Sequence, residues 1–360
     1  MASIVFAGGG SAGHIEPALA VARKWRESRS SDEITFLGTQ VGLENSLVPA
    51  AGFKLSTIPK VSIARKISLS LLKAPLDLIF SVKSAADVLK DADLLIGFGG
   101  YVSGPAYIAA ALRRIPIVIH EANAKPGLAN KLGALFTKNL GVAYEVKKGA
   151  FSRATLVGLP LRSDVEQALV SASQDWKAAR KKAKERLGFS NSLPLIFIMG
   201  GSQGSVAINK VVSDSLGELS TKNISILHSV GTKNELPKGS DFYRPVPYVE
   251  AMADAYLASD VIIARSGAVT CSEFKAVGRY AMFIPLPIGN GEQFFNAQGL
   301  VADGRAMVVT QQNFTSQYLL THLDQLLDSA KNSPIEGSQA DSGAAMKIME
   351  LGITALGANR

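Results

Sequence analysis

The chain has 360 residues, enough for about two domains at roughly 150 residues each. Hydrophobic residues make up 47% and charged residues 19%, which supplies packed cores and excludes a disordered or fibrous chain. Thirty-eight Lys and Arg against 30 Asp and Glu give a net charge of +8, which favours anionic partners without choosing among phosphates, nucleic acid and membrane. Cys271 is the only cysteine, so no internal disulfide forms and a reducing compartment is expected. The opening MASIVFAGGGSAGH lacks the leader of a signal peptide, and no run reaches the about 18 apolar residues of a membrane helix. A soluble, cytoplasmic protein is expected.

Short apolar runs alternate with longer amphipathic ones, the pattern of an α/β protein with parallel strands. Ser3 to Ala7 reads as a buried strand, and GGGSAGH (8–14) then turns into a helix beginning near Pro17. Further strands are predicted at 33–37, 94–97, 115–120, 139–142 and 155–157. A second series opens at Leu195 to Met199, followed by another glycine turn, GGSQGS (200–205), and a helix. It continues with strands at 224–229, 261–264, 281–284 and 307–309. The repetition predicts two doubly wound, Rossmann-like domains, 1–160 and 161–343, with the boundary near GLPLR (158–162). Between the two series, Trp176 to Arg186 carries six Lys or Arg and reads as the solvated face of a surface helix. It lacks the basic–aromatic interleaving of single-strand binding surfaces, so no nucleic-acid partner is expected. The polar, Gly/Ser-rich stretch 332–343 predicts a linker before a last helix from about Ala344.

Glycine turns after strands leave helix-start N–H groups open to phosphate and let a ligand approach the backbone. In GGGSAGH, Gly8, Gly10 and Gly13 have a dinucleotide-like spacing, but the second strand ends in Thr39 and Gln40 rather than an acid. That disfavours a nicotinamide dehydrogenase. His14, at the helix start, is kept neutral by the dipole and is either a proton acceptor or a residue that hydrogen-bonds the turn. GFGGYVSGP (97–105), with Gly99, Gly100, Tyr101 and Ser103, lies at a strand's carboxyl end, where open α/β sheets bind ligands. HEAN (120–123) follows the next strand; His120 suits a structural hydrogen bond, and Asn123 suits reading sugar amides or hydroxyls.

In the second series GGSQGS offers a phosphate cradle with Ser202 as an added donor, and it lacks the G-K-[ST] ending of a P-loop. RSGAVTCSE (265–273) places the N–H groups of Ala268 to Thr270 toward an anion. Glu273 is either a ribose ligand or a generic helix-start acid. GNGEQFFNA (289–297) puts Gln293 and Asn296 on one helix face, suited to sugar hydroxyls. The sequence has no Cys/His metal cluster. No metal or cofactor is expected, and helix dipoles with Arg162 would neutralise a diphosphate.

GGGSAGHIEPALAVA, GFGGYVSGP, HEAN, GLPLR, GGSQGS, RSGAVTCSE and EQFFNA occur in this order over nearly the whole chain. Together they resemble the MurG family of bacterial N-acetylglucosaminyltransferases. The resemblance implies a GT-B fold, two Rossmann-like domains facing a cleft, with the last helix (344–360) packing back on the first. It implies an inverting hexosyltransferase that moves GlcNAc from UDP-GlcNAc to the 4-hydroxyl of undecaprenyl-diphospho-muramoyl-pentapeptide, lipid I to lipid II, in peptidoglycan synthesis. His14 matches the family's candidate general base. Ser11, Ala12 and Gly13 match its first glycine loop. Asn123, Arg162 and Ser202 match donor-binding positions, and Val249 matches an apolar residue flanking the uracil. The segment Ala268, Val269, Thr270, Cys271, Ser272 and Glu273 matches the ribose and diphosphate stretch, and Gln293 with Asn296 the readers of GlcNAc hydroxyls. Gly99, Gly100, Tyr101, Ser103 and His120 fall on the acceptor side. HEAN departs from the commoner HEQN, so Ala122 removes an amide there, and the first loop carries an extra glycine with Ser for Thr.

The stretch 64–84 mixes Leu, Ile and Phe with Arg65, Lys66, Lys73 and Lys83. It reads as an anionic-membrane docking face or as a core helix interrupted by Pro75. With the resemblance it implies a peripheral enzyme on the cytoplasmic face of the bacterial membrane, with a lipid-linked acceptor. Two rivals stand beside this reading. A UDP-GlcNAc epimerase would bind the same donor and need no lipid, and a non-catalytic membrane-anchoring subunit could lose one half of the site.

Overall fold

The computed structural model describes residues 1–60, 70–287 and 291–358, with side chains from residue 75 onward in the helix that begins at Ser70. The chain divides into two compact units, Met1–Arg162 with Asp341–Arg360, and Ser163–Ala340.

In unit 1 the elements run Ser3–Ala7 (β1), Ala12–Ser28 (α1), Glu33–Thr39 (β2), Glu44–Ala50 (α2), Lys54–Ile58 (β3), Ser70–Val88 (α3) and Leu94–Gly97 (β4). They continue with Ser103–Leu112 (α4), Ile117–Glu121 (β5), Leu128–Gly133 (α5), Asn139–Val142 (β6) and Thr155–Leu156 (β7). The seven strands are parallel in the order β3-β2-β1-β4-β5-β6-β7. The order reverses between β1 and β4, and at such a switch point the loops leaving two neighbouring strands diverge to opposite faces and open a crevice. The loops leaving β1 and β4 are the two glycine clusters of this half.

Unit 2 contains Ser163–Ala172 (α6), Trp176–Arg186 (α7), Leu195–Met199 (β8), Val206–Leu219 (α8), Ser225–Ser229 (β9), Tyr243–Val246 (β10) and Met252–Ala258 (α9). After these come Val261–Ala264 (β11), Ala268–Val277 (α10), Tyr280–Phe283 (β12), Glu292–Ala302 (α11), Ala306–Val308 (β13) and Ser316–Asn332 (α12). Its parallel sheet runs β10-β9-β8-β11-β12-β13, and the switch point falls between β8 and β11. Ala344–Gly357 (α13) belongs to unit 1, where Gly352 packs on Trp25: a Cβ there would lie 2.7 Å from the indole.

Central strands are buried on both faces and read as apolar runs, which is why β1, β4, β8 and β11 match expectation. The two strands absent from the reading, β3 and β10, are sheet edges. KLSTI and YRPV mix polar residues and a proline that only a one-sided ladder tolerates. Helix α1 starts at Ala12, not near Pro17, which lies inside it and forgoes only the bond to the carbonyl four residues back.

The basic helix α7 is not uniformly solvated. Arg180 and Lys184 are buried; Arg180 donates to the carbonyls of Leu257, Val277 and Gly278, and Lys184 pairs with Asp260 at 2.9 Å. These two cations tie α7 to the carboxyl ends of α9 and α10 and to the start of β11, where helix dipoles favour positive charge. Among the described residues no helix is long and apolar enough to cross a membrane.

Candidate active site

In unit 1 the chain leaves β1 at Ala7 and turns through Gly8 to Gly10 into α1, whose N-cap Ser11 is extended and makes no side-chain cap. Ser11, Ala12 and Gly13 form the helix start, and His14 lies half-buried in the first turn. His14 Nδ1 stands 3.2 Å from the Gly9 carbonyl oxygen and 3.1 Å from Ser11 Oγ. A carbonyl only accepts, so the Gly9 contact puts the proton on Nδ1 and makes Nε2 the ring's proton-accepting nitrogen.

The loop leaving β4 packs against this turn. Gly100 has φ +86°, and a Cβ there would stand 2.3 Å from the Gly9 oxygen, so no larger residue fits beside His14. A Cβ on Gly99 would sit 3.4 Å from His14 Nε2. Tyr101 is 44% exposed, its ring against Gly10 and beneath the Lys60 ammonium at 4.8 Å. Ser103, expected on the acceptor side, is instead buried and donates between the carbonyls of Ala7 and Gly99, fastening the two glycine loops together.

His120 is likewise buried, with Nε2 on the Gly158 carbonyl at 2.9 Å. Burial depresses its pKa to about 4, only partly offset by that bond, so it is neutral and structural at neutral pH. The residue beside it went unnoticed in the sequence. Glu121 is buried and accepts from Asn123 N and Nδ2 (2.9 and 3.1 Å), Gly127 N (2.9 Å) and Asn130 Nδ2 (2.9 Å). It therefore fixes the amide of Asn123 and connects it, through Asn130, to the floor of Gly99. Ala122 is buried, and Arg162 is half-buried at the end of unit 1.

In unit 2 the second glycine loop leaves β8. A Cβ on Gly200 would come within 2.3 Å of Ser205 N, so backbone closes on backbone, with Ser202 half-exposed at the turn. Ser205 caps α8 and accepts from Arg265 Nη2 at 2.8 Å. Arg265 is buried and also reaches Gln311 Oε1 and the carbonyls of Ile284 and Pro285, so it binds together the loops leaving β8, β11, β12 and β13.

Helix α10 starts from Gly267 with no side-chain cap, leaving the amides of Ala268, Val269 and Thr270 outside its ladder. Its inward residues are Cys271, Ser272 and Glu273, all buried; the Cys271 thiol packs in the core, where burial raises its pKa. Glu273 Oε2 accepts from Tyr256 Oη at 2.7 Å. On α11, Gln293 Oε1 accepts from Leu286 N at 3.0 Å, and buried Asn296 donates to the Ser266 carbonyl at 3.3 Å. Val249 is buried beyond the edge strand β10, apart from these loops in the chain. Gly289 and Asn290 of GNGEQFFNA lie outside the described residues. Two helix starts at one switch point, with a carboxylate and two amides beside them, are suited to a nucleoside diphosphate carrying a sugar.

Two parallel-sheet α/β units, each with a glycine loop at its switch point, constitute the GT-B fold of nucleotide-sugar glycosyltransferases. Residues 4–142 match the glycosyltransferase family 28 N-terminal domain and residues 195–351 the glycosyltransferase family 28 C-terminal domain. The chain is 42% identical over 341 residues to the UDP-N-acetylglucosamine--N-acetylmuramyl-(pentapeptide) pyrophosphoryl-undecaprenol N-acetylglucosamine transferase of Corynebacterium glutamicum, covering 94% of this chain and 92% of that one. It is 42% identical over 365 residues to the transferase of the same name from Rhodococcus erythropolis, covering 97% and 92%. The crystal structure of Acinetobacter baumannii MurG superposes with a TM-score of 0.70 at 25% identity, covering 97% of this chain and all of that one. The chain belongs to this MurG family of N-acetylglucosaminyltransferases. The UDP-GlcNAc 2-epimerase of Neisseria meningitidis, at 16% identity over 98% of this chain and 100% of that one (TM-score 0.62), shares the fold alone.

Proposed function

We propose that the chain transfers GlcNAc from UDP-GlcNAc to lipid-linked muramoyl-pentapeptide, the donor and acceptor that the relatives' names give, and that the transfer is to the 4-hydroxyl with inversion. The observation that carries this reading is the His14 imidazole, held through Nδ1 by Gly9 in a glycine loop at the sheet's switch point. Nε2 takes the acceptor hydroxyl's proton as that oxygen bonds the anomeric carbon and UDP leaves. Gly99, Gly100 and Tyr101 shape the acceptor side around it.

The donor reading rests on unit 2. The amides of Ala268 to Thr270 and the loop at Ser202 offset diphosphate charge; Glu273 accepts from the ribose, and the Val249 backbone flanks the base. Gln293 and Asn296 read the GlcNAc. Cys271, whose thiol packs in the apolar core, takes part through its backbone, and so does Ser272.

Membrane docking is the third element of the proposal. Leu76, Ile79 and Phe80 are 58%, 62% and 61% exposed at i, i+3 and i+4 on α3, with exposed Lys83 one turn on. An apolar strip with basic flanks suits the headgroup boundary of an anionic leaflet on the cytoplasmic side. Arg65 and Lys66 lie outside the described residues, as does the Lys73 side chain.

Incubation with labelled UDP-GlcNAc and a short-chain lipid I analogue tests the whole reading. A lipid-linked β-1,4 disaccharide is expected. Acceptor-independent conversion of the donor to its 2-epimer, with no disaccharide, would overturn it in favour of the epimerase.

A further inference from the structure

The Gly9–Gly10 peptide group is engaged at both ends. Its N–H, on Gly10, donates to Glu44 Oε2 at 3.0 Å, while its carbonyl, on Gly9, lies 3.2 Å from His14 Nδ1. The N–H and C=O of a trans peptide point in opposite directions, so carboxylate, peptide and imidazole form one hydrogen-bonded chain. Glu44 is fully buried at the start of α2, and its other oxygen accepts from Thr39 N–H (3.0 Å) and Thr39 Oγ1 (2.9 Å). Burial alone would favour the protonated acid. The hydrogen bonds from Gly10 and Thr39 outweigh it and hold the carboxyl below the ordinary carboxylate range. The strand and turn leave space for this group: a Cβ on Gly42 would come within 2.2 Å of Oε2, and one on Gly38 within 2.7 Å of Cγ. In a dinucleotide-binding fold the acid after β2 points to a ribose. Here it turns inward, onto the backbone of the first glycine loop.

We propose that Glu44 is a positioning residue for His14, acting through the Gly9–Gly10 peptide. The buried carboxylate polarises that peptide, so its carbonyl holds the Nδ1–H tautomer and stabilises the imidazolium formed when Nε2 takes the acceptor proton. Glu44 itself takes no proton. The inference rests on the reading of His14 as the base. Other ionisable groups around His14 are Glu16 on α1, Tyr101 with Lys60 over its ring, and Glu121 behind Asn130. Glu44 is aligned with Nδ1 through a single peptide.

The test compares the full-length parent with Glu44→Gln. The His14 imidazole titration is followed by NMR, assigned with His14→Ala, and kcat is measured against pH with UDP-GlcNAc and a short-chain lipid I analogue. Removing a negative charge disfavours imidazolium, so His14 should titrate at lower pH in the variant, and the acid limb of kcat should move to lower pH with it. Maximal kcat should fall about 10-fold while the UDP-GlcNAc KM stays within about twofold, a split that a merely loosened fold does not give. An unchanged His14 titration in folded Glu44→Gln overturns the relay. A titration that moves while kcat and its acid limb stay fixed supports the relay and overturns His14 as the base. Should the variant not fold, the parent decides. The Gly10 amide resonance should shift with His14 protonation, and a Gly10 amide indifferent to it overturns the proposal.

Discussion

Tyr256 on α9 donates its phenolic proton to Glu273 Oε2 on α10 across 2.7 Å, and both side chains are buried. Tyr256 also meets Phe274 edge to face, with ring centroids 5.0 Å apart, so the hydroxyl is locked in direction. A carboxylate proposed to receive a ribose is thereby held in one rotamer before any ligand arrives. Tyr256→Phe should lower UDP affinity about 3- to 10-fold, and Glu273→Ala more, each with about 1–2 kcal/mol of stability lost. Calorimetry with UDP and urea unfolding measure the two effects. UDP affinity unchanged in both variants would remove Glu273 from the ribose.

His14→Ala should reduce kcat by at least about 10²-fold on a folded protein, with UDP affinity nearly intact. Turnover within a few-fold of the parent would mean that another group or water takes the proton. A matching collapse of UDP affinity would make His14 a donor-side residue instead.

Stability should fall in mild acid for a defined reason. Burial holds His120 and His228 at about 4 against an ordinary value of 6.5, so both are neutral in the folded chain at pH 7. Between those values the unfolded chain binds more protons. Their contribution is therefore complete above pH 6.5 and is lost as pH drops toward 4, by up to about 1.4 kcal/mol per pH unit for each histidine. Urea midpoints from pH 7 to 5 give the slope. His120→Asn should reduce it by about half, and an undiminished slope would exclude His120 as a contributor.

The α3 strip predicts a lipid-dependent partition. Phe80→Glu and Ile79→Glu each remove one exposed apolar side chain and add a negative charge, so binding to vesicles with anionic headgroups should drop at least about 10-fold. Transfer to a water-soluble acceptor analogue should hold. Sedimentation with anionic and neutral vesicles separates the outcomes, and undiminished binding would place the membrane face elsewhere.

Chelation should leave transfer within about twofold of the untreated rate, because the helix-start amides of Ala268 to Thr270 are proposed to offset diphosphate charge. Complete loss, restored by magnesium or manganese, would show those groups to be insufficient.

Much of the architecture was legible because buried parallel strands are apolar runs and the turns after them are glycine clusters, both local signals. Seven motifs in register also carried the family. What the chain could not show was where each polar side chain spends its hydrogen bonds. Ser103 and His120 stand in ligand-like motifs, yet tertiary contacts turn them onto the carbonyls of Ala7, Gly99 and Gly158. Arg180 and Lys184 look like surface charge in α7, but two helix ends and Asp260 lie behind them.

The converse holds for Glu44, Glu121, Arg265 and Tyr256. Glu44 and Tyr256 fall in none of the seven motifs, and Glu121 and Arg265 fall in HEAN and RSGAVTCSE with no role that spacing could assign; the fold brings each its partner, and burial makes the interaction strong. Sequence alone determined the doubly wound halves, the glycine loops and the candidates His14 and Glu273, because these follow from periodicity, turn chemistry and motif order. Only the tertiary structure decided which carboxylates brace those loops, because a buried carboxylate must find its donors in three dimensions, and Glu44 finds one in the Gly9–Gly10 peptide that holds His14.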